Sequence, residues 1–430
     1  MKKIIVAGCG HGGLSAAARL AGSGFEVTVI EKRKREELGY DWDDCMRKNT
    51  FEFAEIPLPD LSVFSPMERM TYSNPKKSVK LVLPETKNIN STYIDRKFLI
   101  NYLIDFAEKC SVKFIFEAEI ISPVCDKNKV TGVSYCKDGK IDDAYADLVI
   151  DACGLNSPLR RKLPSHFGIQ REISYENVFT VWRGYFESGG DSAEGSFNVY
   201  FYHNKRPGMD WVIRKKGYYD IMVGSFGELK EEDVKKAVSD FENIYPDMTD
   251  KLIRGGSFGK IPVGKFLPLL VCDGYALVGD SAAMTEPLSG SGIDLSIRAG
   301  KILADTVIKY ESAKKEHLWE YNYRFFKECA ERYYNDVIIK GFLSSVEADD
   351  VDFFFENKIL TEKELSDGGK TKYSFDELMK KASVLKKPKL MPRLLGVLLK
   401  LDAASKAKKC IPEKYNENEI EKFIEIYSGF

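Results

Sequence analysis

Several features that would fix a function at sight are missing. No two of the nine cysteines (Cys9, Cys45, Cys110, Cys125, Cys136, Cys153, Cys272, Cys329, Cys410) stand at CxxC spacing, and the four histidines (His11, His166, His203, His317) are scattered. That excludes a zinc module and a disulfide framework, predicts no metal site, and fits a reducing compartment. There is no excess of either charge: Lys+Arg 64 against Asp+Glu 65 leaves a net charge of -1, so no basic footprint points to nucleic acid. No uninterrupted apolar run is long enough to span a bilayer, and the first strand begins almost at Met1, leaving no room for a signal peptide. The expectation is a cytoplasmic protein. Fixed-period repeats and low-complexity segments are absent too. What is there is 430 residues, 44% hydrophobic and 30% charged, enough for two or three structural units around a large core.

The densest signal is "VAGCGHGGLSAAARLAGSGFEVTVIEK", Val6 to Lys32. Lys3 to Ala7 is a β-branched apolar run, Gly8, Gly10, Gly12 and Gly13 follow, and Leu14 to Ala21 is alanine-rich. Strand, turn and helix are predicted in that order. A second strand, Glu26 to Ile30, ends at Glu31, eighteen residues past Gly13. Gly8 suits a tight turn, Gly10 leaves room for a pyrophosphate, Gly13 lets helix and strand pack closely, and the helix amides face the phosphates. A carboxylate at Glu31 takes ribose hydroxyls and repels a 2′-phosphate, which selects the ADP half of FAD or NAD over NADP.

Beyond Glu31 the sequence predicts a polar loop and a stiff connector at Ile56–Asp60 (IPLPD), then a helix over Arg96–Lys109. Strands are predicted at 113–117 and 147–150, and 175–227 reads as a mostly antiparallel sheet. A polar helix follows at 231–245. The strand "YALVGD" then enters a second glycine-containing turn and a helix. The remainder reads as helical, interrupted by "SDGGKT" at Ser366, with "DDVDFFFEN" (Asp349–Asn357) a helix with an aromatic core face. The predicted fold class is α/β: a Rossmann-type FAD-binding domain (1–50, 90–165 and 255–310) interrupted by a β-rich substrate domain (51–89 and 166–254), with a helical C-terminal region (311–430).

Three segments resemble the FAD-dependent oxidoreductases of the p-hydroxybenzoate hydroxylase superfamily, most closely its geranylgeranyl reductase branch. The first is "GCGHGG" with Glu31. The second, "GDSAAMTEPLSGSGI" (Gly279–Ile293), is similar to the family's GD motif and GxGI turn. The resemblance implies that Gly279 and Asp280 bind the ribityl or pyrophosphate side of FAD, while Pro287, Gly290, Gly292 and Ile293 line the isoalloxazine. The third, "YIDRKFLINYL" (Tyr93–Leu103), is similar to the family's arginine-containing helix start and implies Arg96 near the FAD phosphates or ribose.

Two further matches concern the reductase branch. Cys45 lies fourteen residues beyond Glu31, where geranylgeranyl reductases carry a cysteine beside the flavin, although its neighbourhood "GYDWDDCMRKN" lacks the usual glycines. "MDWVIRKKGYYDIMVG" (Met209–Gly224) resembles the family's YxWxFP stretch, with Trp211 as a substrate contact and with Met209 and Arg214 departing from the pattern. In "DACGLNSPLRR" (Asp151–Arg161), Cys153 replaces the aspartate of the hydroxylases' DG motif, which weighs against a nicotinamide-driven hydroxylase. Gly154, Ser157 and Arg160 still fit an FAD-supporting turn. The WxWxIP motif of the flavin halogenases does not occur.

Three activities follow from this. In the first, reduced FAD passes a hydride to a carbon–carbon double bond of an apolar, isoprenoid-like substrate, with Cys45 or Tyr40 as candidate proton donor. In the second, a monooxygenase hydroxylates an aromatic or polyketide-like compound. In the third, the protein is a non-enzymatic flavoprotein carrying electrons, which needs no substrate cavity. No second GxGxxG unit is present, so electrons are expected from transient NAD(P)H contact, a ferredoxin-like partner protein or the substrate itself. Residues 380–410 carry many lysines and arginines around "LLGVLLKL". They read either as a helix packed on the core, the favoured reading, or as a peripheral membrane contact suited to a lipid substrate.

Overall fold

A computed structural model describes residues 1–83, 91–190, 195–367 and 387–430. The chain opens with β1 (Lys3–Ala7), α1 (His11–Gly22) and β2 (Glu26–Ile30), followed by β3 (Asp43–Arg47), α2 (Asn49–Phe53), β4 (Phe64–Pro66), β5 (Met70–Ser73) and β6 (Lys80–Val82). β7 (Ser91–Asp95) runs into α3 (Arg96–Lys109) and β8 (Lys113–Ile115), then into a meander of β9 (Ala118–Asp126), β10 (Lys129–Lys137) and β11 (Lys140–Tyr145). β12 (Leu148–Asp151) and α4 (Pro158–Lys162) precede β13 (Val178–Ser188), β14 (Ser196–Phe201), β15 (Met209–Lys215) and β16 (Tyr218–Phe226). Next come α5 (Glu231–Ile244), β17 (Met248–Pro262), β18 (Val271–Cys272), β19 (Tyr275–Leu277) and α6 (Ile293–Tyr310). The C-terminal helices are α7 (Lys315–Phe325), α8 (Tyr334–Leu343), α9 (Ala348–Glu356), α10 (Glu362–Asp367), α11 (Met391–Cys410) and α12 (Glu417–Ser428).

The apolar run of β1 is buried from Ile4 to Ala7, as a central parallel strand covered on both faces must be. It pairs in parallel with β2 on one side and β12 on the other, and the sheet order is β18-β19-β12-β1-β2-β8. The second glycine-containing turn therefore leaves an adjacent strand of the same sheet, since β19 pairs in parallel with β12. α1 and α6 cross at backbone contact. A Cβ on Gly300 would stand 2.1 Å from the Gly12 carbonyl oxygen, so only glycine permits this approach.

The second large sheet has seven strands in the order β17-β13-β16-β15-β14-β5-β6. Its strand alternation separates two faces. Phe186, Tyr200, Val212, Ile221 and Val223 lie in one apolar cluster with Val234, Ala237 and Phe241 of the amphipathic α5. Val181, Arg183, Phe197, Val199, Trp211, Ile213 and Met222 occupy the opposite parity and line an interior cavity. The sheet is antiparallel except where β14 meets β5 in parallel.

Two local features depart from the sequence expectations. The polar stretch after Glu31 contains β3, held between in-register pairing with β7 and the Arg254 guanidinium, which bonds Asp43 at 2.9 Å and Asp95 at 2.5 Å. The β9–β11 meander falls where no strand is predicted, in a segment with many exposed charged positions. Met209–Gly224 is a hairpin turning at Lys216 and Gly217, within the antiparallel sheet expected over 175–227. The aromatic helix is present as α9, with Val351, Phe354 and Phe355 buried. Most of the "SDGGKT" interruption, residues 368–371, lies outside the described residues, as do residues 380–386 of the basic segment.

Candidate flavin and substrate site

The turn after β1 shows what the glycines do. Gly8 has φ +90, and a Cβ there would stand 2.7 Å from the Ala152 carbonyl oxygen; one on Gly10 would stand 2.9 Å from the same atom. β12 thus presses its end against the turn and leaves the opposite side open. α1 begins with no side-chain cap and no acidic residue in its first turn, so its leading amides are free for an anion. His11, its first residue, is buried, and burial followed by the nearby Arg96 charge pushes the imidazole down to about 3. Its Nε2 has no hydrogen-bond partner among the described residues.

Glu31 directly follows β2 and has a buried carboxylate that accepts the Cys9 amide at 2.9 Å and the Arg33 amide at 3.0 Å. These bonds fix its orientation toward the cavity and leave lone pairs for ribose hydroxyls. Arg96 caps the other side of this region, donating to Asp44 at 3.0 Å and lying over the Tyr40 ring at 5.0 Å, while Tyr40 stacks on Trp42.

The two motif turns are braced by buried charges that sequence reasoning assigned only loosely. Arg160 is buried and donates to the carbonyls of Leu155 (2.6 Å), Arg171 (3.1 Å) and Ser281 (2.6 Å), tying the "DACGLNSPLRR" turn to the GD turn. Asp151 accepts from the Cys153 amide, the Ser157 hydroxyl and the Tyr275 hydroxyl. In the GD turn Gly279 has φ 72 and Ala283 φ 56. Burial raises the Asp280 carboxyl, which the Arg96 charge opposes, and its one hydrogen bond among the described residues is a long 3.4 Å contact from Thr285. α6 starts at Gly292 without a side-chain cap, and its Asp294 is turned away to the Arg47 amide and to the Thr50 hydroxyl at 2.8 Å.

These features meet in one cavity of about 1260 Å³, above the roughly 300–1,000 Å³ of an ordinary small-ligand pocket. Its wall contains Gly8, Gly10, Gly12, Glu31, Tyr40, Cys45, Arg96, Gly154, Trp211, Gly279, Asp280, Pro287, Gly290, Gly292 and Ile293. Gly13 stands behind the wall, where a Cβ would meet the Ala152 and Val6 side chains at 2.6 and 2.8 Å. An uncapped helix start, a second one opposite, an unpartnered imidazole nitrogen and two carboxyls with spare acceptor capacity match the anionic, hydroxyl-rich backbone of a flavin dinucleotide. The residues fit FAD.

Other residues of the site carried little sequence signal. Arg183, on the cavity face of β13, makes a buried pair with Asp220 of β16 at 2.7 and 2.5 Å and also donates to the Asp43 carbonyl. Arg47 bonds Glu286 at 3.1 Å, and the same carboxylate receives the Tyr333 hydroxyl from the C-terminal helices. The strand alternation V-W-R and W-V-I was the available clue to which of these face inward. Burial, then the negative Asp294 and Glu286, push the Cys45 thiol up to about 12. Among the described residues no group of three or more His, Cys, Asp or Glu is placed to hold a metal, and no helix is long and apolar enough to cross a membrane.

A Rossmann-type sheet with a cradle for FAD, opening into a sheet-lined cavity, defines an FAD-dependent oxidoreductase. Residues 1–243 match the FAD binding domain family, and the chain belongs to it. It is 21% identical to the digeranylgeranylglycerophospholipid reductase of Sulfolobus acidocaldarius, over 96% of this chain and 92% of that protein. With the digeranylgeranylglycerophospholipid reductase of Haloferax volcanii the identity is 24%, over 70% of this chain and 75% of that one. Among solved structures, a geranylgeranyl bacteriochlorophyll reductase-like protein from Thermoplasma acidophilum shares the fold with a TM-score of 0.73 at 20% identity, covering 92% of this chain and 100% of that one. The myxobacterial chondrochloren halogenase shares it with a TM-score of 0.62 at 16% identity, covering 100% and 98%.

Proposed function

We propose that this protein is a reductase that saturates a carbon–carbon double bond of an apolar, isoprenoid-like substrate. The observation that carries the reading is the continuity of the cavity. The residues of the FAD cradle share one cavity with Phe197, Val199 and Phe201 and with the apolar Leu343, Val351 and Phe354 of the C-terminal helices and Leu360 between α9 and α10. A protein that only relays electrons has no use for such a compartment, and an extended hydrocarbon gains about 0.8 kcal/mol per CH₂ buried in it. The names of the curated relatives support the same class of substrate.

FAD, held by Glu31, Asp280 and the two helix starts, supplies the hydride when bound. The chain's own task is to hold the alkene in place, keep water away and deliver a proton to the second alkene carbon. Cys45 suits the last task. Its thiol borders the cavity and stays protonated at neutral pH for the reasons given above, so its S–H bond breaks only as the new C–H bond forms. Tyr40, exposed and stacked on Trp42 beneath Arg96, is the lesser candidate. Trp211 and Phe197, edge to face at 5.7 Å, form the roof against which the alkene packs. Electrons to FAD come in this reading from NAD(P)H or a ferredoxin-like protein. A peripheral membrane contact through 380–410 accords with α11, where Leu394 is buried while Leu395 and Leu399 are exposed beside Arg393 and Lys400.

The test is anaerobic mixing of the dithionite-reduced holoprotein with geranylgeraniol, following flavin absorbance and product mass. Flavin reoxidation with gain of two hydrogens supports the reductase. No reoxidation under these conditions, with reoxidation and hydroxylation only once oxygen and an aromatic compound are added, would overturn it in favour of a monooxygenase.

A further inference from the structure

Two hydrogen-bond donors in the cavity wall are left unused. The Tyr93 hydroxyl and the Trp211 Nε1 are buried atoms with no hydrogen-bond partner among the described residues, and both side chains border the cavity. A buried donor is ordinarily satisfied, because leaving it unmade costs stability. Both belong to one apolar cluster with Phe197, Val199 and Ile213, next to Cys45 and Met67, where no side chain supplies an oxygen to receive them. Trp211 and Ile213 alternate onto the cavity face of β15, and Lys215, next on that face, lies over the Tyr93 ring at 4.7 Å while it pairs with Glu68 at 2.8 Å. Arg183 stands beside both donors. Its guanidinium lies 5.5 Å from the centre of the Trp211 ring, and its charge also acts on the Tyr93 phenol. That guanidinium is neutralised by the buried Asp220, so two uncharged donors in apolar surroundings suit an uncharged oxygen acceptor better than an ion.

The acids at the same place narrow the chemistry. Burial holds the Cys45 thiol up at about 12, and burial, followed by the Glu68 charge, raises the Tyr93 phenol as well. Neither is strong enough to protonate a plain alkene, whereas both can protonate a carbanion or enolate. The hydride therefore has to arrive first, and the electron pair it displaces needs an acceptor in the substrate.

We propose that Tyr93 and Trp211 bind the carbonyl oxygen of an α,β-unsaturated aldehyde or ketone, so that the double bond reduced is the one conjugated to it. The proposal rests on the reading of the protein as an alkene reductase and names its substrate class. The hydride supplied by reduced FAD forms a C–H bond at the β-carbon. The alkene π pair moves between the α-carbon and the carbonyl carbon, and the carbonyl π pair moves onto oxygen. That oxygen receives the Tyr93 O–H and the Trp211 N–H, bonds that strengthen as its charge develops. Cys45, opposite Tyr93 on the β3–β7 pair, gives its proton to the α-carbon. The S–H bond breaks, the second C–H bond forms, the carbonyl is restored, and the thiolate regains a proton from water. The substrate gains two hydrogens and FAD is left oxidised.

The test compares geranylgeranial, whose 2,3 double bond is conjugated to the aldehyde, with geranylgeraniol, the same chain without a carbonyl. Dithionite-reduced holoprotein is mixed with each under anaerobic conditions. The expected result is that the wild type reduces the 2,3 bond of the aldehyde roughly a hundredfold or more faster than any bond of the alcohol, and that Tyr93→Phe and Trp211→Phe each lose about 10²–10³-fold of that rate, the worth of one donor to a developing oxyanion. A second readout needs no turnover: the infrared carbonyl stretch of the aldehyde bound to oxidised holoprotein shifts to lower frequency in the wild type and moves back in each variant. Should Trp211→Phe fail to fold, Tyr93→Phe, which keeps the ring and removes one hydroxyl, decides alone. Equal rates on aldehyde and alcohol, or a carbonyl stretch and an aldehyde rate untouched by Tyr93→Phe, overturn the carbonyl site while leaving the reductase reading intact. Failure of the reductase reading looks different, because neither compound then reoxidises the flavin or gains hydrogen.

Discussion

Cys45 and Tyr93 face one another in register on the antiparallel pair β3–β7, and both border the cavity. Burial holds the thiol and the phenol well above their ordinary values, so this strand pair presents two groups that keep their protons at neutral pH. The Tyr93 hydroxyl has no hydrogen-bond partner among the described residues, and the Cys45 thiol meets the Met67 sulfur at 3.5 Å.

With the Cys45 thiol at about 12, roughly one molecule in ten thousand carries the thiolate at about pH 8. Iodoacetamide is expected to label Cys45 orders of magnitude more slowly in the folded holoprotein than after unfolding, as read by peptide mass spectrometry. Cys45→Ala should retain its flavin and lose about 10²–10⁴-fold in alkene reduction. Equal labelling rates in both states would contradict the burial.

Glu31→Ala should weaken FAD binding by roughly tenfold to a hundredfold, the worth of hydrogen bonds to a charged acceptor, about 1.5–3 kcal/mol. Asp280→Ala should cost more, because this carboxyl has almost no protein partner to compete with the cofactor. Fluorescence quenching of FAD titrated with apoprotein measures both. An Asp280→Ala protein purified with full flavin would remove that residue from the cradle.

Gly300→Ala puts a methyl against the Gly12 carbonyl and must push α6 away from α1. The expected cost is about 1–3 kcal/mol of stability, together with loss of flavin affinity, since both helix starts border the cavity. Thermal unfolding with and without FAD separates the two effects. A variant equally stable and equally yellow would show that the helices can part freely.

His11 is neutral when folded, at about 3, and titrates near 6.5 when unfolded. The unfolded chain therefore binds more protons between these values. The contribution is intact above the unfolded value and is lost as pH falls toward the folded one, at most about 1.4 kcal/mol per pH unit. His11→Gln should flatten the acid limb of apoprotein stability, measured by urea unfolding at several pH values. An unaltered slope would mean that the ring is not held neutral.

The parts of the fold that were legible are those in which local chemistry and tertiary need coincide. The apolar run of β1, the glycines after it and the acid at Glu31 each have one physical use, and all three reappear in the sheet. The helix Arg96–Lys109 was readable because Asp95 caps it, accepting from the Phe98 amide at 2.6 Å, and its leucines fall on one face. β3 was not readable: "DDCMR" has no strand-forming character of its own and is extended because β7 and Arg254 hold it. The parallel meeting of β14 with β5 joins segments more than a hundred residues apart, beyond any local signal. Arg183 carried no signal in the sequence, because its partner Asp220 arrives only when β16 is laid beside β13.

The order in which the sheet is assembled has a consequence for the chain's birth. β1 and β2 leave the ribosome first, yet β12 and then β19 must arrive before the cradle has its floor and the GD turn its place. At about 5–20 residues per second, synthesis exposes one unpaired flank of the early strands for many seconds. FAD cannot rescue the nascent chain during that time, because the turn at Asp280 that would grip it is not yet made. Cofactor shortage is therefore expected to act on the finished polypeptide and not on the growing one.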